Sequence, residues 1–165
     1  MKHQTAAAVQ AGYADTLARL ATENAAHTLR GYLTGSIDAL LRTRADTGSD
    51  EQYVVVDYKT NRLIPRDEPL TAWHYRHTAM ETAMIDAHYP LQAVLYSVAL
   101  HRYLRWRRPG YDPEQHLGGV LYLFLRGMSA TNPLDHAGFT PGVFTWKPPV
   151  GLITELSDLL AGGNQ

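Results

Sequence analysis

The chain has no cysteine, which excludes structural disulfides, thiolate zinc sites, cysteine nucleophiles and cysteine-ligated iron-sulfur clusters together. Any metal must therefore sit on oxygen or imidazole. Charge of one sign is also missing: fifteen Lys and Arg against sixteen Asp and Glu leave a net charge of -1, so nucleic acid could be attracted only by a local patch. No apolar run approaches the roughly 20 residues of a membrane span, and the alanine-rich opening lacks the apolar core and cleavage pattern of a signal peptide. A cytoplasmic location is the default expectation. No Gly-x-x-x-x-Gly-Lys-Ser/Thr phosphate loop is present, which excludes a P-loop ATP-driven motor within these residues.

What is present, 45% hydrophobic and 19% charged residues over 165 positions, is the composition of an ordinary globular chain. One domain is expected, burying about two thirds of its unfolded surface. Val54-Val55-Val56-Asp57-Tyr58-Lys59 is its focal stretch. It reads as a strand ending in an acid and a base two residues apart, hence on one face, with Tyr58 on the other. That pairing suits a divalent cation and an attacking water. It equally suits a strand end closed by a salt bridge.

Residues 1 to about 28 have apolar positions near helical spacing and predict a helix. Tyr32 to Leu41 reads as a first strand, Thr43 to Gln52 as a hairpin loop, and Tyr53 to Lys59 as a second, antiparallel strand. A loop with Pro65 and Pro69 follows, then a helix from about Thr71 to His88 burying Trp73, Met80 and Met84. Pro90 opens a second helix, to about Arg107, with an apolar stripe of Leu91, Val94, Leu95, Val98 and Leu104. The continuous apolar run Gly118 to Leu125 reads as a strand buried on both faces. Reached through a helical crossover, it should lie parallel to another strand. A loop over 127–141, a short strand from Val143 to Trp146 and a helix from Pro149 to Leu160, with Val150, Ile153, Leu156 and Leu159 on one face, complete the core. Residues 161–165 are expected to fray.

Asp38, near the end of the first strand, is brought alongside Asp57 by the hairpin. Two carboxylates with a lysine nearby suit magnesium, which keeps several of its waters. Gln92 and Tyr96, four apart, share one side of the second helix and could hold a phosphate or a base. His101 to Arg108 places four arginines among eight residues, a basic patch or the solvated end of a helix. Within it Arg102 and Arg105 are candidate DNA contacts, as is Arg126 at the end of the third strand. His74 and His77 are a weak metal pair. His88, His101 and His116 read as structural hydrogen-bonding residues, and Trp73, Trp106 and Trp146 either stack on bases or pack.

Gly35 to Asp38, Val55 to Asn61, Tyr89 to Leu104 and Gly118 to Gly127 together resemble the C-terminal nuclease domain of the RecB subunit of the RecBCD helicase-nuclease, within the restriction-endonuclease-like superfamily. The resemblance runs from about Gly31 to Leu160. It implies an α/β fold with a mixed central β-sheet flanked by helices: a single domain with a helical segment over 1–30, truncated relative to the family, and a nuclease core over 31–160. It also implies a magnesium-dependent DNA nuclease of double-strand-break repair and recombination, acting on single strands or duplex ends. Asp38, Asp57 and the Tyr58 main-chain carbonyl would then hold Mg2+, Lys59 would act beside the base, and Gln92 with Tyr96 would complete the catalytic site. RecC- and RecD-like subunits and a RecA-like recombinase are the implied partners. One departure stands out: the family's upstream Gly-x-x-x-His motif has no counterpart in residues 1–30, where His3 and His27 lack its flanks. Either a ligand is missing or another residue, such as Glu23, replaces it. In the first case the chain is a nuclease-fold module that binds a recombinase or partner subunit without cutting.

Overall fold

The computed structural model describes residues 34–44, 51–129, 134–136 and 138–162. The expected N-terminal helix, the first two residues of the expected first strand, the hairpin tip, part of the 127–141 loop and the last three residues lie outside them.

Among the described residues the sheet has four strands in sequence order: β1 (Ala39–Arg44), β2 (Glu51–Lys59), β3 (Leu117–Phe124) and β4 (Val143–Trp146). The β-branched run Val54-Val55-Val56 places β2 in the interior, where stiff side chains pack well on a pleated surface. Val55 and Val56 are both buried, each worth about 1.5–3 kcal/mol of apolar burial. β2 pairs antiparallel with β1, Ala39 opposite Val56, and parallel with β3, Asp57 opposite Tyr122. β4 closes the other edge antiparallel to β3. The sheet is mixed and flanked by helices, the expected α/β architecture.

Opposed residues share a sheet face. Val55, Asp57 and Lys59 therefore line the same face as Val120, Tyr122 and Phe124, and all six are buried. The crossover from β2 to β3 consists of a 3-10 turn (Ala72–Tyr75), α1 (His77–Asp86), α2 (Tyr89–Arg107) and α3 (Pro113–His116). α2 buries Ala93, Val94, Val98, Leu100 and Leu104. The last helix, α4 (Val150–Leu160), packs against it, pinned by Arg102, whose Nε donates to Ser157 Oγ at 3.0 Å and whose terminal nitrogen donates to the Ser157 carbonyl.

Several local expectations are corrected. Regular pairing of the first strand starts at Ala39 and runs on to Arg44, so Asp38 precedes the strand instead of lying near its end. The helix expected over Thr71 to His88 is broken: Arg76 is extended, and α1 begins at His77. The break lets Tyr75 turn inward, fully buried, with its hydroxyl on the Asn61 carbonyl at 2.8 Å. Trp73 stays half exposed under the Arg76 guanidinium, while Met80 and Met84 are buried as expected. The amide of His77 is capped by the Asp135 carboxylate at 3.1 Å, a long-range substitute for the local N-cap. α1 stops at Asp86, and His88 adopts a left-handed conformation (φ 55°) that redirects the chain so that Pro90 falls in the first turn of α2, where its missing N–H costs nothing. Leu91 and Leu159 are exposed, and Leu125 falls in a turn just after β3.

Candidate active site

The site forms at the end of β2. Lys59 and Asp57 project from one face with side chains only 10% and 5% exposed, and Lys59 Nζ lies 2.5 Å from Asp57 Oδ2. That contact is charge against charge outside hydrogen-bond geometry, for the buried Oδ2 accepts no hydrogen bond. Lys59 instead donates to Gln92 Oε1 at 3.0 Å, and Gln92 Nε2 donates to Tyr96 OH at 3.1 Å. The glutamine and the phenol expected to complete the site thus form one chain of hydrogen bonds with the lysine.

Asp38 reaches the same place from the other side. With Ala39 opposite Val56, the residue before β1 lies opposite Asp57, and Asp38 Oδ2 accepts the Tyr58 amide at 2.9 Å. Main-chain groups alternate in direction along a strand. The Lys59 carbonyl accepts from the Leu125 amide on the β3 side, so both main-chain groups of Tyr58 point to the β1 side. Its carbonyl therefore faces the edge where the Asp38 carboxylate stands. The donor set of two carboxylates and a main-chain carbonyl is all oxygen, as magnesium prefers, and the buried Asp57 Oδ2 without a hydrogen bond is the atom a cation would satisfy. The residues present fit such an ion, although among the described residues no three His, Cys, Asp or Glu side chains cluster as a metal site.

Two residues were missed as site members. The ammonium of Lys59 sits over the Tyr89 ring, 3.8 Å from its centroid, and 5.2 Å from that of Tyr122. The two rings stack at 6.0 Å, the Tyr122 hydroxyl donates to the Tyr89 carbonyl at 3.1 Å, and the Asn61 side-chain amide lies 3.3 Å from the Tyr89 hydroxyl. Tyr122 could have been found from the parallel pairing, which sets it beside Asp57 on the same face. Tyr89 carries a weaker signal: three residues before Gln92, it falls on the same side of α2, but only the left-handed His88 aims the start of that helix at the strand end.

Of the candidate DNA contacts, Arg126 is at the site: exposed, it donates to the carbonyl of Thr60, next to Lys59, at 2.9 Å. Arg102 and Arg105 are not, since Arg102 lies ten residues beyond Gln92 on α2, about 15 Å along the axis. Arg102 holds Ser157, and Arg105 lies 3.9 Å from Asp158. His101 and His116 make the structural contacts expected, with Tyr111 OH and with the Asp112 main chain. Burial, then the Arg105 charge, push the His101 imidazole below its ordinary pKa. Burial likewise raises the Tyr111 phenol to about 12. His74 bonds Thr71 and His77 stacks on Phe139 and Phe144, so neither pairs with the other on a metal.

No protein-family model matches the chain. Curated relatives do. The chain is 54% identical over 132 residues to the RecBCD enzyme subunit RecB of Mycolicibacterium smegmatis, covering 80% of this chain and 12% of that protein. It is 52% identical over 135 residues to RecB of Mycobacterium tuberculosis (strain H37Rv), 82% and 11% of the two lengths. RecB of Escherichia coli matches at 41% over 134 residues, 81% and 10%. At these identities the chain is a homologue of RecB of the RecBCD enzyme, of which it spans about 12%.

Proposed function

We propose that this chain is a magnesium-dependent deoxyribonuclease of the RecB type, hydrolysing phosphodiester bonds in DNA during double-strand-break repair and recombination. The observation that carries the reading is the buried Asp57 Oδ2 without a hydrogen bond, set beside the Asp38 carboxylate and a lysine held by Gln92. Asp38, Asp57 and the Tyr58 carbonyl would hold the ion. Magnesium, when bound, supplies a Lewis acid to a phosphoryl oxygen and a more acidic water. Lys59, oriented by Gln92 and screened from bulk water, donates to the attacking water or to the phosphate oxygen that gains charge. Tyr96 fixes Gln92 in turn, and Arg126 is placed to meet a phosphate beside Thr60. The proposed partners are DNA, RecC- and RecD-like subunits and a RecA-like recombinase.

The test is cleavage of single-stranded and blunt duplex DNA by the full 165-residue chain. Cutting should require magnesium and fall about a hundredfold or more in Asp57→Ala and Lys59→Ala. Variants that cut as well as the wild type sink the proposal. A second reading is favoured by the lack of a Gly-x-x-x-His motif in residues 1–30: a catalytically impaired module that binds a RecA-like recombinase or a partner subunit. Binding of such a protein without DNA cleavage selects it.

A further inference from the structure

Lys59 has more partners than one task needs. Its ammonium touches the Asp57 carboxylate, a glutamine carbonyl and the face of a tyrosine ring, with a second ring behind. Asp57 is both its ion-pair partner and the best-buried oxygen donor of the proposed metal set. An ammonium and a divalent cation on one carboxylate oxygen repel each other within a largely desolvated space, so each weakens the other's hold on it.

On the reading that this is a metal site, we propose that Lys59 competes with the divalent cation for Asp57, and that the Tyr89–Tyr122 cage with Gln92 is the seat it retires to when the cation enters. A buried ammonium deprived of its carboxylate ordinarily faces a large penalty. Here the alternative seat already surrounds it. The Gln92 oxygen is a hydrogen-bond acceptor at 3.0 Å, and the Tyr89 face offers its quadrupole at 3.8 Å. Tyr89 is held twice, its hydroxyl by the Asn61 amide and its main-chain carbonyl by the Tyr122 hydroxyl. The exchange has two consequences. Metal affinity is set by the lysine and its cage as well as by the ligands, and Lys59 stays within the site when the cation is present. Tyr89 is thus a positioning residue for Lys59, not a ligand.

The test is Mn2+ binding by the full chain, followed by electron paramagnetic resonance of the free ion, a readout independent of cleavage. Asp57→Asn should abolish the binding; if it does not, the metal-site reading itself is wrong. Given that loss, Lys59→Met should bind Mn2+ about tenfold or more tightly than the wild type. Tyr89→Leu should bind it about threefold or more weakly, and Tyr89→Phe, which keeps the ring, should stay within about twofold of the wild type. Unchanged or weaker binding by a folded Lys59→Met overturns the competition. Should that variant fail to fold, Tyr89→Leu and Tyr89→Phe decide alone: equal affinities in the two overturn the cage, and a loss confined to the leucine variant upholds it.

Discussion

Asp57 and Lys59 form a buried ion pair with unequal ends, and a double-mutant cycle on stability should expose the inequality. Removing one member of a buried pair strands the other charge at a cost of about 3–5 kcal/mol. Lys59 without Asp57 still donates to Gln92 and lies over two aromatic faces. Asp57 without Lys59 keeps an Oδ2 that is buried and accepts no hydrogen bond. Asp57→Ala should therefore cost about 3 kcal/mol and Lys59→Met about 5 kcal/mol. The double variant removes both charges, so its cost should fall short of the sum by at least about 2 kcal/mol. Against a domain stability of about 5–15 kcal/mol each single change is a large fraction. Urea denaturation with a chelator present, at unchanged m-value, measures all four corners. Costs that add to within about 0.5 kcal/mol, or a larger loss for Asp57→Ala than for Lys59→Met, would refute the reasoning.

Two further outcomes test how the fold holds this site. A Cβ on Gly127 would lie 2.3 Å from both Cβ and Cγ of Tyr75, a buried ring that cannot swing away while its hydroxyl holds Asn61. Gly127→Ala should lower stability by about 1–3 kcal/mol in urea titrations, and the double variant Gly127→Ala with Tyr75→Ala should show less than the sum of the two losses. His101 sets a pH dependence. Its folded pKa lies below the ordinary 6.5, through burial first and then the Arg105 charge, with Arg102 acting in the same direction and Asp158 against. The unfolded chain therefore takes up the proton first as pH falls, so the contribution to stability is whole above pH 6.5 and is lost progressively below it. Compared between about pH 7.5 and about pH 5.5, the wild type should lose more stability than His101→Gln, and equal losses would remove His101 as a cause.

The strands and their pairing were legible in the sequence because burial imposes a pattern there. The Val54–Val56 run, the hairpin to the first strand, the parallel third strand and the Val143–Trp146 edge all follow from apolar runs and turn residues. The pairing of Gln92 with Tyr96 was legible too, since it rests on helical spacing, and the hairpin put Asp38 near Asp57 without fixing its place before β1. What escaped depends on contacts distant in sequence. The kink at Arg76 exists to bury Tyr75 against Gly127, and α1 is capped from Asp135, neither of which a local window contains. Arg102 looked like part of a basic patch because composition cannot tell an arginine facing solvent from one that pins a neighbouring helix.

The connectivity of the sheet explains why these residues meet where they do. β3 can run parallel to β2 only if the chain returns to the opposite end of the sheet, and α2 makes that return. Its first turns must then start at the carboxyl end of β2, which brings Tyr89 and Gln92 to Lys59, while the end of β3 delivers Tyr122 and Arg126 to the same edge. β1 runs the other way, so its beginning, with Asp38, arrives there as well. A single topological requirement thus gathers acid, base, amide and phenol from four chain passages at the carboxyl end of the parallel strands, the usual place for a ligand site in an open α/β sheet. Asp57 and Lys59 occupy its centre because β2 is paired on both sides and buried, and a carboxylate and an ammonium set there have few partners other than each other and the surrounding cage.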